Sequence, residues 1–396
     1  VPVLAVWAAP VKATEPRLTN DRIQAAEADN AFGFGLFGEM IQKEEPTANV
    51  VISPLSVATT LTMANNGAAG ETGDALMRVL GIEGMDIERA SRTAGELLSF
   101  LESTDDDVVF KSSQAIWVNK SFKPANRFRE LNQNHFKAET AALDFSDSET
   151  LGYINVWVAR ETGGLVKNIL DMIPPEVMMY LVNAVYFNGV WTYPFEAGGT
   201  VEAPFILSDG DTVTCSMMTS GLLKVPYFYE AKLGFHAIEL PYGDSRFAMT
   251  VILPEKGRAL SEICSVLNAE KWRDWTARLR TDYVMLKLPK FKLECDYLLN
   301  DALKSMGMGI AFDAGRADFS GMQENSARSL WISRVIHKTI IEVNEEGTEA
   351  GAGTVVELKK GPPVRRLTAD RPFLLAVRDT STGAILFLAR VANPTQ

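Results

Sequence analysis

Helical and strand-like patterns alternate irregularly along this chain, with helices crowding the first half and strands the second, and no clear linker separates the halves. Up to about residue 160 helical segments predominate, with short strands between them. The second half is a succession of apolar runs: 246 to 253, 283 to 294, 331 to 343, and "PFLLAVRDTSTGAILFLARV", which reads as a hairpin turning at Thr380 to Gly383. Neither an internal repeat nor a low-complexity segment interrupts the chain. A length of 396 residues allows one large core or two to three domains. The missing boundary favours a single α+β domain over the regular β–α alternation of a parallel sheet. That domain should occupy 21 to 396, behind an N-terminal arm, 1 to 20, whose apolar start "VPVLAVWAAP" reads as a disordered or surface-docked segment or as the remnant of an export signal.

Local signals place the elements. "NDRIQAAEADNAFGFGLFGEMIQKEE" is amphipathic, with Ile23, Phe34, Phe37 and Ile41 near one face. Its Gly33, Gly35 and Gly38 each cost about 1 kcal/mol of helix propensity, so contacts outside the helix must hold it. Ser53 with Pro54 behind it opens a second helix, Thr72 a third that Gly81 closes, and Ser148 one that runs to about Arg160. Residues 86 to 103 read as a helix, 108 to 118 as a strand, and "VMMYLVNAVYF" as a buried strand.

Composition excludes several function classes. A net charge of -11 and a pI near 5.0 argue against nucleic acid or an anionic membrane as partner, both of which require a basic surface. No run approaches the length of a membrane-spanning helix. Cys215, Cys264 and Cys295 are odd in number and widely spaced, so they form neither a disulfide framework nor a zinc motif and read as buried thiols. The N-terminus points to an extracellular or cell-envelope location, with the cytoplasm as the alternative.

The search for catalytic chemistry is largely empty. His135, His236 and His337 occur without a zinc-protease motif, a nucleophile elbow or a P-loop. "GAGTVV" lacks the third glycine and the strand-to-helix context of a dinucleotide site, so no cofactor is expected. Asp105 to Asp107 reads as a solvated loop, and no metal is expected. His337, in the apolar run "WISRVIHKTIIEV", reads as a satisfied core histidine, and Glu342 stands at the wrong parity to share its face. Ser53 and Ser56, flanking Pro54 in "SPLS", could be nucleophiles of a hydrolase, but capping and packing explain both.

Taken in order, "NVVISPLSVATTLTMANNGAAGET", "INVWVARETGG", "LVNAVYFNGVWTYPF", "LPKFKLECDYLLNDALKSMGM", "HKTIIEVNEEGTEAGAG" and "LTADRPFLLAV" resemble the successive blocks of the serpins, from about Asn30 to Pro394. Leu165, Ala389 and the glycines of the first helix depart from the family pattern, the first two at packing positions. The resemblance implies three β-sheets with eight or nine helices and an exposed reactive loop, about 345 to 371. It further implies a monomer that is not an enzyme but a suicide substrate of serine proteases. In this scheme the protease cleaves the loop, is held as a covalent acyl-enzyme, and is displaced as the loop inserts into the central sheet. By the same resemblance Ser53, Ser56, Asn183 and His337 form a polar shutter under that sheet. Trp191 and Lys290 belong to the breach where insertion begins, and Glu345, Gly347, Thr348, Glu349, Ala350, Gly351, Ala352 and Gly353 form the hinge.

The residues themselves say whether this loop could insert. From Thr348 the even positions, Thr348, Ala350, Ala352, Thr354, Val356 and Leu358, are small or apolar, while Glu349, Glu357 and Lys359 occupy odd ones. That is the period of a half-buried strand written into a segment that otherwise looks like a loop. Family spacing points to Gly361 before the cleaved bond, but Pro362 behind it makes that bond a poor substrate. The expected bond is therefore Lys360–Gly361, which fits a trypsin-like enzyme, with Lys359–Lys360 as runner-up. The alternatives are a non-inhibitory serpin acting as carrier or chaperone, and an unrelated hydrolase using Ser53 or Ser56.

Overall fold

The computed structural model describes residues 18–103, 107–164, 168–196, 198–324, 330–346 and 364–396. In chain order the elements are α1 (Asn20–Lys43), β1 (Val50–Ile52), α2 (Pro54–Asn65), α3 (Gly70–Val79), α4 (Ile87–Glu102), β2 (Val108–Asn119), α5 (Asn126–Phe136), β3 (Glu139–Leu143), α6 (Ser148–Glu161) and β4 (Met179–Gly189). There follow β5 (Val201–Ile206), β6 (Thr212–Thr219), β7 (Leu223–Glu230), β8 (Phe235–Tyr242), β9 (Phe247–Pro254), α7 (Leu260–Cys264), α8 (Ala269–Ala277), β10 (Arg280–Pro289), β11 (Phe291–Leu298), α9 (Asn300–Leu303), β12 (Arg334–Val343), β13 (Arg365–Thr368), β14 (Phe373–Asp379) and β15 (Ile385–Val391).

The glycine-rich first helix is held from outside, as its propensity demands. Gly33 lets α1 close on α2: a Cβ there would fall 2.3 Å from Cβ of Pro54. Asn30 fastens the same helix to the β14–β15 turn, its Nδ2 donating to the Gly383 carbonyl at 2.8 Å and its Oδ1 accepting from the Ile385 amide at 2.9 Å. Thr19 caps its N-terminus by accepting from the Arg22 amide. Every residue of α2 is buried, as a helix surrounded by core on all sides requires.

Five strands, in the order β11-β12-β4-β2-β3, form one sheet. The other ten join into a continuous surface because β10 changes partner half-way: Arg280–Val284 pairs with β7, and Lys287–Pro289 pairs with β6. Two of the three expected sheets are thereby bridged. The cores lie between the sheets and the helices, and α6 covers the outer face of the five-stranded sheet through Ile154, Trp157 and Val158 packed on Trp117, Tyr180 and Val182.

Three local expectations are corrected. The third helix begins at Gly70 with Ala69 as N-cap, and Thr72 lies inside its first turn, where its hydroxyl accepts from the Asp318 amide instead. Asp147, not Ser148, caps α6, because its carboxylate accepts from the Glu149 amide at 2.9 Å. The run 283 to 294 is two strands, β10 and β11, that belong to different sheets and part at Lys290. Of the cysteines only Cys215 is fully buried; Cys264 and Cys295 are partly exposed, although burial raises all three thiols above their ordinary pKa.

Candidate functional site: a strand seam in the five-stranded sheet

β12 and β4 are parallel neighbours whose ladder is half formed. Arg334–Lys338 pairs with Tyr180–Ala184, and there, among the described residues, the pairing stops. Both strands continue upward, β12 to Val343 and β4 to Gly189, each still paired on its far side, with β11 and β2 respectively. Five residues on each strand, 339–343 and 185–189, thus run on beyond the last shared ladder pair, a seam about 17 Å long at 3.3 to 3.4 Å per residue.

A buried polar cluster sits under the closed part. The Ser53 amide donates to Nε2 of His337 at 2.9 Å. That nitrogen must carry a lone pair, so the proton is on Nδ1, which donates to Oδ1 of Asn183 at 2.7 Å. The Thr339 hydroxyl lies 2.9 Å from Nε2. Full burial holds His337 neutral, its pKa pushed down from 6.5 to about 3. Beside this cluster lies a second buried polar group: the Ser112 hydroxyl donates to Ser56 Oγ at 3.3 Å and accepts from Nε2 of Gln114 at 2.6 Å, and Gln114 stands opposite Asn183 in the β2–β4 ladder. Within the two groups Ser53 Oγ, Gln114 Oε1 and Asn183 Nδ2 are buried without a hydrogen-bond partner among the described residues. Each such atom costs free energy in the closed state.

The open end is held differently. Trp191 stacks on Tyr242 at 4.2 Å, and its Nε1 donates to the Asn344 carbonyl at 2.9 Å. The Trp191 and Phe195 amides donate to the carbonyls of Glu346 and Glu345 at 3.1 and 2.8 Å. Lys290 Nζ meets Glu345 Oε2 at 2.9 Å, and Thr200 donates to Oε1 at 2.6 Å. Burial works against ionising Glu345, but the Thr200 hydroxyl and the Lys290 ammonium outweigh it and hold the carboxyl below its usual range.

The chain therefore gathers Ser53, Asn183 and His337 into one cluster, with Ser56 in the polar group beside it, and Trp191, Lys290 and Glu345 into another at the opposite end of the seam. The remaining hinge positions, Gly347, Thr348, Glu349, Ala350, Gly351, Ala352 and Gly353, and the bond Lys360–Gly361 lie outside the described residues. Sequence reasoning missed Thr339, Ser112, Gln114 and Thr200. Thr339 was within reach: it stands two residues from His337 on an alternating strand and so shares its face. Among the described residues no group of three or more His, Cys, Asp or Glu side chains could hold a metal ion, and no helix is long and apolar enough to cross a membrane.

A serpin (serine protease inhibitor) family model matches residues 27–394. The chain belongs to the serpin family. It is 33% identical to the leukocyte elastase inhibitor of Bos taurus over 383 residues, which covers 94% of this serpin and 100% of the relative. An uncharacterised serpin-like protein of Thermococcus kodakarensis is also 33% identical, over 93% of this chain and 85% of its own. Among solved structures, tengpin, a thermophilic serpin in the native state, superposes with a TM-score of 0.84 at 30% identity, covering 96% of each chain. Human thyroxine-binding globulin complexed with thyroxine superposes with a TM-score of 0.85 at 25% identity, covering 95% of this serpin and 100% of that chain. The serpin architecture expected from the sequence is thus the observed one, and its half-open β12–β4 seam is the candidate site.

Proposed function

We propose that this serpin inhibits trypsin-like serine proteases as a suicide substrate, with 21 to 396 as one inhibitory domain and Lys360–Gly361 as the bond attacked. The observation that carries the reading is the seam: two parallel strands whose shared ladder ends five residues short of the end from which the chain runs on into the loop. The chain leaves β12 at Val343, so a segment turning back would run antiparallel to both neighbours and could complete a ladder on each side. Thr348, Ala350, Ala352, Thr354, Val356 and Leu358 would enter on the core face, and Glu349, Glu357 and Lys359 would stay in water.

About ten residues paired on both sides, at about 0.5 to 1.5 kcal/mol net per hydrogen bond, release on the order of 10 kcal/mol, less the entropy of ordering the loop. This force acts on a protease joined to Lys360 as an ester. Deacylation needs water, base and oxyanion donors held in register, and a displacement of about 1 Å costs roughly a hundredfold in rate. The protease supplies the nucleophile and this serpin supplies the strain, acting as inhibitor and not as enzyme.

The mammalian relatives are named for inhibiting elastase, an enzyme with a small specificity pocket. Here the lysine pair at 359 and 360 offers the cation that an acidic pocket binds. The test is mass spectrometry of the mixture with trypsin. A released fragment beginning "GPPVRRLTADRPF" and an SDS-stable complex are expected, and Lys360→Ala should slow complex formation by orders of magnitude. Thr348→Arg should be cleaved without trapping, since burying an unpaired guanidinium costs several kcal/mol. A fragment starting elsewhere moves the bond, and cleavage by every protease tried without a stable complex overturns inhibition.

A further inference from the structure

A cavity of about 790 Å³ opens between the C-terminal half of α1, α7 and the turns at 206–208 and 370–372. Phe34, Phe37, Ile41, Leu207, Leu260 and Leu267 give it apolar walls. Gly38 keeps it open. A Cβ at this position would meet nothing within 4 Å, whereas at Gly33 it would collide with Pro54, so neither packing nor backbone conformation requires glycine at 38. The same glycine costs the helix about 1 kcal/mol relative to alanine.

Arg390 lines this cavity and is only 6% exposed. Its Nε donates to the Ala48 carbonyl at 3.0 Å and its Nη2 to the Glu45 carbonyl at 2.7 Å, both neutral acceptors. Arg378, partly buried on the neighbouring strand β14, is treated differently: it pairs with Glu239 at 2.6 Å. No carboxylate among the described residues lies within ion-pair distance of Arg390, and Glu44 supports its charge only through space. Burial raises the neighbouring Cys264 thiol to about 11, so it stays neutral and offers no counter-charge. Lys256 and Arg371 also line the cavity and share the Asp370 carboxylate, while Arg258 pairs with Glu262 at 3.7 Å, so none of these carboxylates is left over for Arg390. A desolvated cation without a counter-ion, at the wall of an apolar cavity of ligand size, is complementary to an anion with an apolar body.

We propose that this cavity binds an amphiphilic carboxylate of the fatty-acid class, its chain lying along Phe34, Phe37 and Leu260 and its head group against Arg390. The site makes no use of the β12–β4 seam, and its test involves no protease, so it stands or falls apart from inhibition.

Isothermal titration of the full chain with dodecanoate, below its micelle-forming concentration, and with dodecanol tests it. Saturable binding of one dodecanoate per chain is expected, with dodecanol at least tenfold weaker. Gly38→Phe should abolish dodecanoate binding without lowering the melting temperature, since the new side chain fills the space the ligand would use. Arg390→Met should reduce dodecanoate to the affinity of dodecanol. Should that variant not fold for want of its links to Ala48 and Glu45, Gly38→Phe and the comparison of acid with alcohol still decide. Non-saturating uptake of many molecules, equal affinity for acid and alcohol, or undiminished binding by Gly38→Phe would each overturn the proposal.

Discussion

Below Lys338 the β12–β4 seam is closed by ladder hydrogen bonds and by the wholly buried His337 cluster; above it the same two strands share no ladder. At the upper end the contacts are the Trp191 and Phe195 links to residues 344–346 and a half-exposed ion pair, Lys290–Glu345. Missing strand partners do not explain the contrast, since both halves of each strand stay paired on their far sides. The difference lies in what spans the seam. Below, separation exposes or orphans buried polar groups; above, water already stands ready to replace most of what would be lost. A sheet built this way opens from one end.

The largest expected effect follows directly. If a cleaved loop fills the seam, the lower half must unzip and re-pair on a new strand, and the gain of order 10 kcal/mol should raise the melting temperature by roughly 10 degrees. Calorimetry before and after limited proteolysis measures it. An unchanged or lower melting temperature for the nicked protein means that the two halves are equally closed to a new strand.

Much of this arrangement was legible in the sequence. The crowding of helices into the first half and strands into the second, and the parity that separates buried His337 from exposed Glu342, are local signals, while the period-two alternation from Thr348 lies outside the described residues. The seam itself was not. It depends on β4 meeting β12, more than a hundred residues apart, and on the point at which their ladder ends. Lys290 shows the same limit: 283 to 294 has one continuous strand pattern, yet the chain changes sheets there because of partners the segment does not encode. At Asp147 and Ser148 two good capping residues stand side by side, and only the geometry chooses between them. The lack of an ion-pair partner for Arg390 among the described residues was equally hidden, because it is defined by what distant residues fail to bring.

A second test weakens the closed half. Asn183→Ala removes the acceptor of the His337 Nδ1 proton and leaves a buried donor unpaired, at a cost of about 1 to 3 kcal/mol. The urea midpoint should fall, and uptake of a synthetic TEAGAGTVVEL peptide, residues 348 to 358, should accelerate. A lower midpoint with unchanged uptake would mean that the cluster supports the core without controlling the seam.

Acid probes the same half without mutation. The folded-state pKa of His337, about 3, lies below its unfolded value near 6.5, so the unfolded chain binds the extra proton. Stability from the neutral ring is complete above pH 6.5 and is lost as pH falls towards 3, by up to ~1.4 kcal/mol per pH unit. His236, which burial also depresses, contributes in the same direction. The difference in slope between wild type and His337→Gln therefore isolates the cluster. Equal slopes would remove protonation of His337 as a way of opening the lower half.

The smallest effect belongs to the open end. Lys290→Met removes a pair whose lysine is 46% and whose glutamate is 23% exposed, an interaction worth about 0 to 1 kcal/mol in such surroundings. Glu345 keeps its Thr200 hydrogen bond, and its backbone carbonyl still accepts from Phe195, so the start of the loop should stay anchored. Chemical denaturation should show a shift near the limit of detection, further reduced in high salt, and peptide uptake should be little changed. The comparison with Asn183→Ala is what matters: two single substitutions at opposite ends of one seam, of similar size, with the buried one several times more costly. If Lys290→Met proved the more damaging, the upper end would be the latch, and the direction in which this sheet opens would have to be reversed.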